Sequence, residues 1–154
     1  MSVRLSKTHN LAWRKFLSAH AVLIEQVEQD LAKADLPPLA WYDILFAISD
    51  APEQKLRLHE LAQTVLLSRS NVTRLVDRLE KAELLRREQC DSDRRGSFAA
   101  ISNKGLTMLQ QMWVVYEAAI MKYFACHLDA TEARLFIKLL KRMTRISASE
   151  QIQK

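Results

Sequence analysis

The chain has 154 residues, of which 49% are hydrophobic and 27% charged, and its net charge is +5. This is the composition of an ordinary globular protein with one core. Only two glycines and three prolines occur, which favours a mainly helical chain because turns and sheets use more of both. No apolar run approaches the roughly 18 residues of a membrane span and no signal-peptide core is present, so we expect a cytoplasmic protein.

Charge is distributed unevenly along the chain. Residues 1–54 carry 5 basic and 7 acidic side chains (−2), residues 55–95 carry 10 and 7 (+3), and residues 96–154 carry 8 and 4 (+4). The middle and the C-terminal third are therefore the parts that suit a polyanion. Cys90 and Cys126 are too few for a disulfide framework, and no C-x-x-C motif is present.

The N-terminal part of the chain is predicted to form two helices. Apolar residues spaced by threes and fours between Lys7 and Leu36 predict a long amphipathic helix. The sequence LPPL at 36–39 breaks that helix, and Pro38 suits the first turn of a second one. The second helix, LAWYDILFAIS, is apolar nearly all round and is closed by Pro52, so we expect it to be buried.

Two short amphipathic segments follow, with apolar residues at helical spacing over 58–66 and 72–79. Only LSR separates their apolar faces. Two short helices joined by so tight a turn indicate a helix-turn-helix, in which Ser68 or Ser70 caps the second helix.

A change of period then indicates two strands. LLRREQC (84–90) and GSFAAIS (96–102) flank the charged sequence DSDRR and predict a hairpin, with Gly96 available for a positive backbone angle. Ser102 is expected to cap a long helix that runs to about Cys126. A last helix is expected to begin near Asp129 or Thr131.

The second short helix has a polar face opposite its apolar one. That face carries small polar residues and arginines, which reach base edges and phosphates: Ser70, Asn71, Thr73, Arg74 and Arg78. A merely solvated helix face has a similar composition. The tight turn and the basic hairpin that follows favour DNA binding.

The sequence DSDRRGS lies at the tip of the predicted hairpin, and a hairpin directly after a recognition helix is a wing. We predict that Arg94 or Arg95 enters a narrow minor groove, where negative potential is enhanced. Asp91 or Asp93 would hold an arginine by a charge-assisted hydrogen bond. The alternative is a charged hairpin that only protects a sheet edge. Arg86 and Arg87 fit either phosphate contacts or solubilising charges.

Residues 58–105 resemble the winged-helix core of the MarR family of bacterial transcriptional regulators. SRSNVTRLVDRLE, DRRG and ISNKG carry the resemblance, and the flanking helices extend it to nearly the whole chain. It implies a mainly α, winged helix-turn-helix fold of about six helices with a small β-hairpin wing. Together with the polar face, it indicates these DNA-contacting residues: Ser68, Arg69, Ser70, Asn71, Thr73, Arg74, Arg78, Arg86, Asp93, Arg94 and Arg95.

The same resemblance implies a single domain over 1–154. The winged core spans 55–105, and helices within 1–36 and 106–154 form a dimerisation region. The implied protein is a homodimeric repressor, or occasionally an activator, that binds a pseudo-palindromic operator. Many members of the family release DNA on binding a small aromatic or phenolic ligand. The sequence departs from the family at Glu83, where glycine is usual, so either Glu83 takes a left-handed angle or the helix ends differently.

Candidate effector-binding residues lie in the first two predicted helices: Trp13, His20, Trp41 and Asp43. Ordinary core packing accounts for each aromatic residue taken singly. Trp13 and Asp43 are similar to the tryptophan and carboxylate of the urate-responsive branch of the family, but Leu75 stands where that branch would need an arginine.

Thiol and metal chemistry are weaker alternatives. Cys90, near Arg86 and Arg87, is a candidate redox-responsive thiol, whereas Cys126 is expected to be buried and inert. The four histidines are scattered without ligand spacing, so no metal site is predicted.

Two other classes of protein are alternatives to a DNA-binding regulator. An enzyme would need a nucleophile with its base, paired carboxylates or a phosphate-cradling loop. The sequence shows no such motif, so no catalytic residue or cofactor is predicted. A winged-helix protein-interaction module that no longer binds DNA would have lost the wing arginines and the polar helix face.

Overall fold

The computed structural model describes residues 4–65, 69–89 and 96–150, with residues 69, 70 and 146–150 described by their backbone alone. The element order in this part of the chain confirms the predicted mainly α, winged helix-turn-helix fold. Short 3-10 turns at Pro52–Gln54 and Ala125–His127 accompany the main elements. The main helices and strands are α1 (Lys7–Lys33), α2 (Leu39–Ser49), β1 (Lys55–Arg57), α3 (Leu58–Thr64), α4 (Arg69–Lys81), β2 (Leu85–Gln89), β3 (Ser97–Ile101), α5 (Asn103–Tyr123) and α6 (Ala130–Glu150).

Helix α1 begins as predicted and ends earlier. The Ser6 hydroxyl accepts a hydrogen bond from the His9 backbone N–H at 3.1 Å, which caps the helix. The predicted end at Leu36 is wrong, because the helix stops at Lys33 and Asp35 takes a left-handed backbone angle with φ of 55°. Asparagine and aspartate adopt that region more easily than most residues.

Helix α2 is largely buried, as its apolar composition predicts. Pro38 precedes the helix instead of lying in its first turn, and the Leu39 N–H donates to the Glu28 carboxylate of α1 at 3.0 Å. That bond joins the two helices at their corner. Asp43 and Phe46 are the exceptions to burial, and Phe46 has 50% of its surface exposed.

The wing hairpin has a third strand that the sequence did not reveal. Strand β1 pairs antiparallel with β3, and β2 pairs with the other edge of β3, which gives the order β1-β3-β2. A strand of three residues is too short to display an alternating pattern. The expected positive angle at Gly96 is also wrong, since neither glycine has a positive φ in the described residues.

The turn between α4 and β2 is a Schellman-type C-cap centred on Glu83. Glu83 has a φ of 61°, its N–H donates to the Glu80 carbonyl at 2.9 Å, and the Leu84 N–H donates to the Leu79 carbonyl at 3.0 Å. Glu83 therefore adopts the left-handed angle that glycine accepts at lower cost. The Ser102 hydroxyl donates to the Glu83 carbonyl at 2.6 Å, so this turn is tied to the start of α5.

Replacing Glu83 with glycine is expected to raise the free energy of unfolding by about 0.5–1 kcal/mol, because the left-handed angle no longer meets a Cβ. Urea denaturation measures the change. Glu83→Ala should give no gain, because alanine keeps the Cβ and loses only the exposed ion pair with Lys104. Equal stabilisation by glycine and alanine would contradict the backbone explanation.

Two buried clusters share helices α2 and α5. One lies under the winged core and includes residues of α2, α3, α4 and the sheet. The other lies between α1, α2 and α5 and is built around Leu31, Tyr42 and Met112. Met108 and Leu109 pack against both clusters, so the winged core is continuous with the neighbouring helices. Within the described residues, no helix has the length and apolar character needed to cross a membrane.

Candidate nucleic-acid interface

The orientation of α4 is fixed by its buried face. Val72, Val76 and Leu79 are at most 1% exposed, and their spacing places them on one side of the helix. The opposite side must therefore face solvent. The predicted contact residues with described side chains on this helix are all exposed: Asn71, Thr73, Arg74 and Arg78.

Three further observations concern α4. Arg69 and Ser70 form its first residues by their backbone, whereas Ser68 lies outside the described residues. Lys81 is exposed on the same side as Arg74, seven residues later, and was missing from the sequence-based set. Lys81 is the last residue of α4, so the direction of its side chain depends on where the helix ends.

Arg87 joins strand β2 to α4. Its guanidinium forms ion pairs with Asp77 and, at 3.7 Å, with Glu80, and its backbone N–H donates to the Glu80 carboxylate at 2.9 Å. This is a structural role beside the two that the sequence left open for Arg87, phosphate contact and solubilising charge, which stay predictions. Arg87 holds the wing strand against the helix.

A double-mutant cycle on Asp77→Ala and Arg87→Ala is expected to give a coupling energy of about 0.5–1 kcal/mol, as for a partly exposed ion pair, and the coupling should weaken with salt. Denaturant unfolding of the four proteins measures it. The matched control pair is Glu83 and Lys104, whose side chains are 81% and 61% exposed. Equal coupling in both pairs would argue against a specific role for Arg87.

The outer face of the sheet adds cations beside the wing. Arg86 is exposed, and its Nε donates to Glu88 at 3.0 Å. The Lys55 ammonium and the Arg57 guanidinium lie 5.5 and 5.1 Å from the centre of the Phe98 ring, within cation–π range. The sequence-based prediction missed Lys55 and Arg57 because it missed strand β1.

Gly96 gives Arg57 room to reach the wing base. A Cβ built on Gly96 would lie 3.0 Å from the Arg57 Nη1 atom. Gly96 is therefore suited to its position because the Arg57 side chain approaches it closely, and not because of a positive backbone angle. The tip itself, with Asp93, Arg94 and Arg95, lies outside the described residues, so the minor-groove contacts stay predictions.

The four candidate effector-binding residues lie in separate places within one chain. Trp41 packs against the cluster under the winged core, and Asp43 is near Glu28 and Tyr116. Trp13 is 57% exposed and precedes Glu28 by 15 residues, or about 22 Å of helix. His20 lines an open groove of about 670 Å³ between α1 and α6.

Asp43 borders an aromatic cluster formed by α2 and α5. The Tyr42 ring stacks with those of Phe46 and Trp113, at 5.9 and 6.1 Å between centroids, and meets Tyr116 edge-on at 5.1 Å. Asp43 is exposed when its whole surface is counted, but its carboxyl is partly buried. This burial and the nearby Glu28 carboxylate raise the pKa of Asp43. Burial, with the Asp43 carboxylate adding to it, also raises the pKa of the Tyr116 hydroxyl.

The structure describes one of the two cysteines. Cys126 is exposed, so its predicted burial is wrong, and its thiol donates to the Lys122 carbonyl at 3.0 Å. It lies in the 3-10 turn after α5. Cys90 lies outside the described residues. No group of three or more histidine, cysteine or acidic residues suited to a metal occurs in 4–65, 69–89 or 96–150.

The terminal helices carry extensive exposed apolar surface. The N-terminal half of α1, the later part of α5, the residue that follows it and α6 contribute large side chains that are 37–69% exposed. They include Leu11, Trp13, Phe16, Leu17, Val114, Met121, Phe124, Leu135, Ile137 and Met143.

A core-anchored recognition helix, a basic exposed face and a three-stranded wing define the class of winged helix-turn-helix DNA-binding proteins. Comparison with known proteins gives the family. Residues 34–96 match the sequence profile of the MarR family. AbsC, a MarR family transcriptional regulator from Streptomyces coelicolor, is 30% identical, with a TM-score of 0.87 over 96% of this chain and 99% of that one. The chain belongs to the MarR family of transcriptional regulators, which are not enzymes.

Two further relatives agree. Sco3205, a MarR family regulator from the same organism solved in complex with DNA, is 28% identical, with a TM-score of 0.84 over 97% of this chain and 91% of that one. The transcriptional regulator MhqR of Bacillus subtilis is 28% identical over 127 residues, which cover 81% of this chain and 83% of MhqR.

Proposed function

We propose that this protein is a ligand-responsive homodimeric repressor that binds a pseudo-palindromic operator in the cytoplasm. Residues 69–82 enter the major groove, and Arg94 and Arg95 enter the minor groove. One observation carries the proposal: burial of Val76 and its neighbours leaves Arg74 and Arg78 of α4 no orientation except outward. The complex of the related Sco3205 with DNA supports it.

The exposed apolar side chains of the terminal helices support the homodimer. Residues such as Phe16, Leu135 and Met143 are at least 42% exposed and lie close in sequence to other exposed apolar residues. Contiguous apolar surface of this kind marks an interface. A second copy covers it and sets two recognition helices roughly 34–36 Å apart, the spacing of successive major grooves.

The surroundings of Asp43 support a small phenolic or aromatic effector. Tyr42, Phe46 and Trp113 provide ring faces, and partial burial together with the Glu28 carboxylate raises the pKa of Asp43. A phenolic hydroxyl that donates to this carboxylate would stabilise it. Regulation of DNA binding by 6-hydroxynicotinic acid in Bordetella bronchiseptica BpsR is an example from a structural neighbour of 19% identity.

Fluorescence anisotropy on DNA from upstream of the protein's own coding sequence tests the proposal, with scrambled DNA as control. We expect preference for the upstream DNA and affinity that falls steeply with salt. Arg95→Ala should weaken binding with little loss of fold stability. Equal, weakly salt-dependent binding to both DNAs would favour a winged-helix module that binds protein.

The same assay separates the two modes of regulation. Phenolic and aromatic acids, urate and a peroxide are added to the complex in turn. Release by a phenolic acid that is lost in Asp43→Asn supports the effector proposal. Release by peroxide that is lost in Cys90→Ser would instead favour a thiol-responsive regulator.

A further inference from the structure

Strand β1 places two cations over one aromatic ring on the outer face of the sheet. Lys55 and Arg57 are two residues apart in the strand, so their side chains leave it on the same face. The Phe98 ring of β3 lies 5.5 Å from the Lys55 ammonium and 5.1 Å from the Arg57 guanidinium. The two cations form a matched pair that differs in charged neighbours and in distance from the wing tip.

The charged neighbours neutralise Lys55 and leave Arg57 its charge. The Lys55 ammonium is 3.2 Å from the Glu53 carboxylate and 3.8 Å from that of Glu88. In the part of the chain that the structure describes, no carboxylate forms an ion pair with the Arg57 guanidinium. The nearby Glu60 carboxylate instead accepts the Arg57 backbone N–H, at 3.2 Å. The Arg57 side chain is therefore the cation of this pair that can attract an anion.

The Arg57 guanidinium is directed along the hairpin towards its tip. Arg57 pairs with Phe98, but its Nη1 atom lies 3.0 Å from a Cβ built on Gly96, two residues nearer the tip. Gly96 directly follows the tip sequence DSDRR. Lys55 pairs with Ala100, which is about 7 Å farther from the tip than Phe98. Arg57 thus adds a positive charge at the base of the wing tip.

An arginine held over an aromatic ring keeps its hydrogen-bond donors. The cation–π contact involves the face of the ring, whereas the N–H groups of a guanidinium project within its own plane. In the described residues, the Arg57 side chain donates no hydrogen bond. The planar fork of N–H groups matches two oxygens of a phosphate. Phe98 therefore holds a phosphate-binding group in place before DNA arrives.

The face of the sheet that carries Arg57 is turned away from α4. Arg87 pairs with Ala99, the residue after Phe98, so Arg87 and Arg57 leave the sheet on opposite faces. Arg87 is on the side of α4, where it forms its ion pairs. A minor groove has a phosphate backbone on each side. When the tip enters that groove, Arg57 faces the backbone strand on the side away from the recognition helix.

We propose that Arg57 is a further DNA-contacting residue of the wing, which binds a phosphate of the backbone strand on the side of the minor groove away from α4. The inference rests on the proposed function. Binding there is independent of sequence, because phosphates carry no sequence information. Lys55 makes no such contact, since its ammonium is neutralised and lies farther from the tip.

Fluorescence anisotropy of the full chain on the upstream duplex, over a series of salt concentrations, tests the inference. Arg57→Gln is expected to weaken binding about tenfold and to make the salt slope smaller by about 1, as for one lost phosphate contact. The matched control, Lys55→Gln, removes the other cation over the same ring and should change affinity less than about threefold. Arg57→Lys should keep the salt slope, because it keeps the charge and loses only the fork.

A second arm of the experiment locates the phosphate. Duplexes that each carry one neutral methylphosphonate, at successive backbone positions, are titrated with the wild type and with Arg57→Gln. At the contacted phosphate, the substitution should weaken the wild type and leave the affinity of Arg57→Gln unchanged. At other positions both proteins should lose equally. A residue that only stabilises the wing would show no such dependence on one phosphate.

Gly96→Ala is an independent variant, because its Cβ displaces the Arg57 guanidinium without removing the charge. We expect weaker binding in the wild-type background and no further loss in the Arg57→Gln background. Circular dichroism and urea denaturation check that each variant keeps its fold. If Arg57→Gln did not fold, Arg57→Lys and Gly96→Ala on the methylphosphonate duplexes would still decide the outcome.

Three outcomes would overturn the inference: unchanged affinity and salt slope in Arg57→Gln, equal losses in Arg57→Gln and Lys55→Gln, or no backbone position at which the two substitutions are coupled. In the last case, an Arg57 effect that disappears in Asp93→Asn would mean that Arg57 holds the wing tip and does not bind DNA. The proposed function fails separately. Its failure is seen if Arg74→Ala/Arg78→Ala leaves affinity for the upstream duplex unchanged.

Discussion

Replacing Gly105 with alanine is expected to destabilise the protein by about 3 kcal/mol or more, because the added Cβ overpacks a buried junction. That atom would lie 2.0 Å from the Leu84 carbonyl oxygen and 2.8 Å from the Ile101 Cγ1 atom. The carbonyl is backbone and cannot rotate away, since it also accepts the Ser102 N–H at 3.1 Å. Helix α5 would have to move away from the wing. Urea denaturation measures the loss.

Gly96→Ala is the control for this prediction. Its added Cβ would meet only the end of the Arg57 side chain, at 3.0 Å, and a flexible guanidinium can shift. We expect a change of less than about 1 kcal/mol. If the two alanine variants were equally stable, the α4–α5 junction would not have the packing described.

Replacing Arg74 and Arg78 together with alanine is expected to weaken operator binding by about 100-fold or more, since each arginine that contacts base or phosphate contributes about 1–3 kcal/mol. Both side chains are exposed and lie opposite the buried face of α4, so stability should change little. Anisotropy titrations at two salt concentrations measure the loss in affinity and the change in salt slope.

The control for the double variant is Arg4→Ala/Lys33→Ala, which removes two exposed cations outside the winged core. It changes net charge equally and should change affinity by less than about threefold, because distant exposed charges are screened. Equal weakening by both double variants would mean that α4 does not contact the DNA and that only net charge matters.

The pattern of apolar residues was sufficient to predict the order of the helices and the winged helix-turn-helix. The spacing of Val72, Val76 and Leu79 determines which side of α4 is buried. Burial of that side leaves the arginines exposed on the opposite side. Ser102 as a cap also followed from residue type, because its bond to the Gly105 N–H, at 3.0 Å, is local. Local hydrogen bonds and helical spacing depend on residues only a few positions apart.

Features that depend on distant partners were missed or predicted wrongly. Strand β1 exists because β3 offers an edge more than 40 residues away, and Lys55 and Arg57 reach Phe98 only through that pairing. Cys126 was expected to be buried because of its residue type, but the chain turns there and leaves it uncovered.

Sequence alone determined the fold class, the recognition helix and the exposed arginines, because periodicity and capping are encoded over a few residues. Tertiary structure decided that Arg87 holds the wing strand against α4. It also decided that Glu83 adopts a left-handed backbone angle in the turn after α4. It also placed Trp13 apart from Asp43 within one chain. These outcomes depend on how elements distant in sequence pack, since a side chain's role is set by the neighbours that the fold brings within a few ångströms.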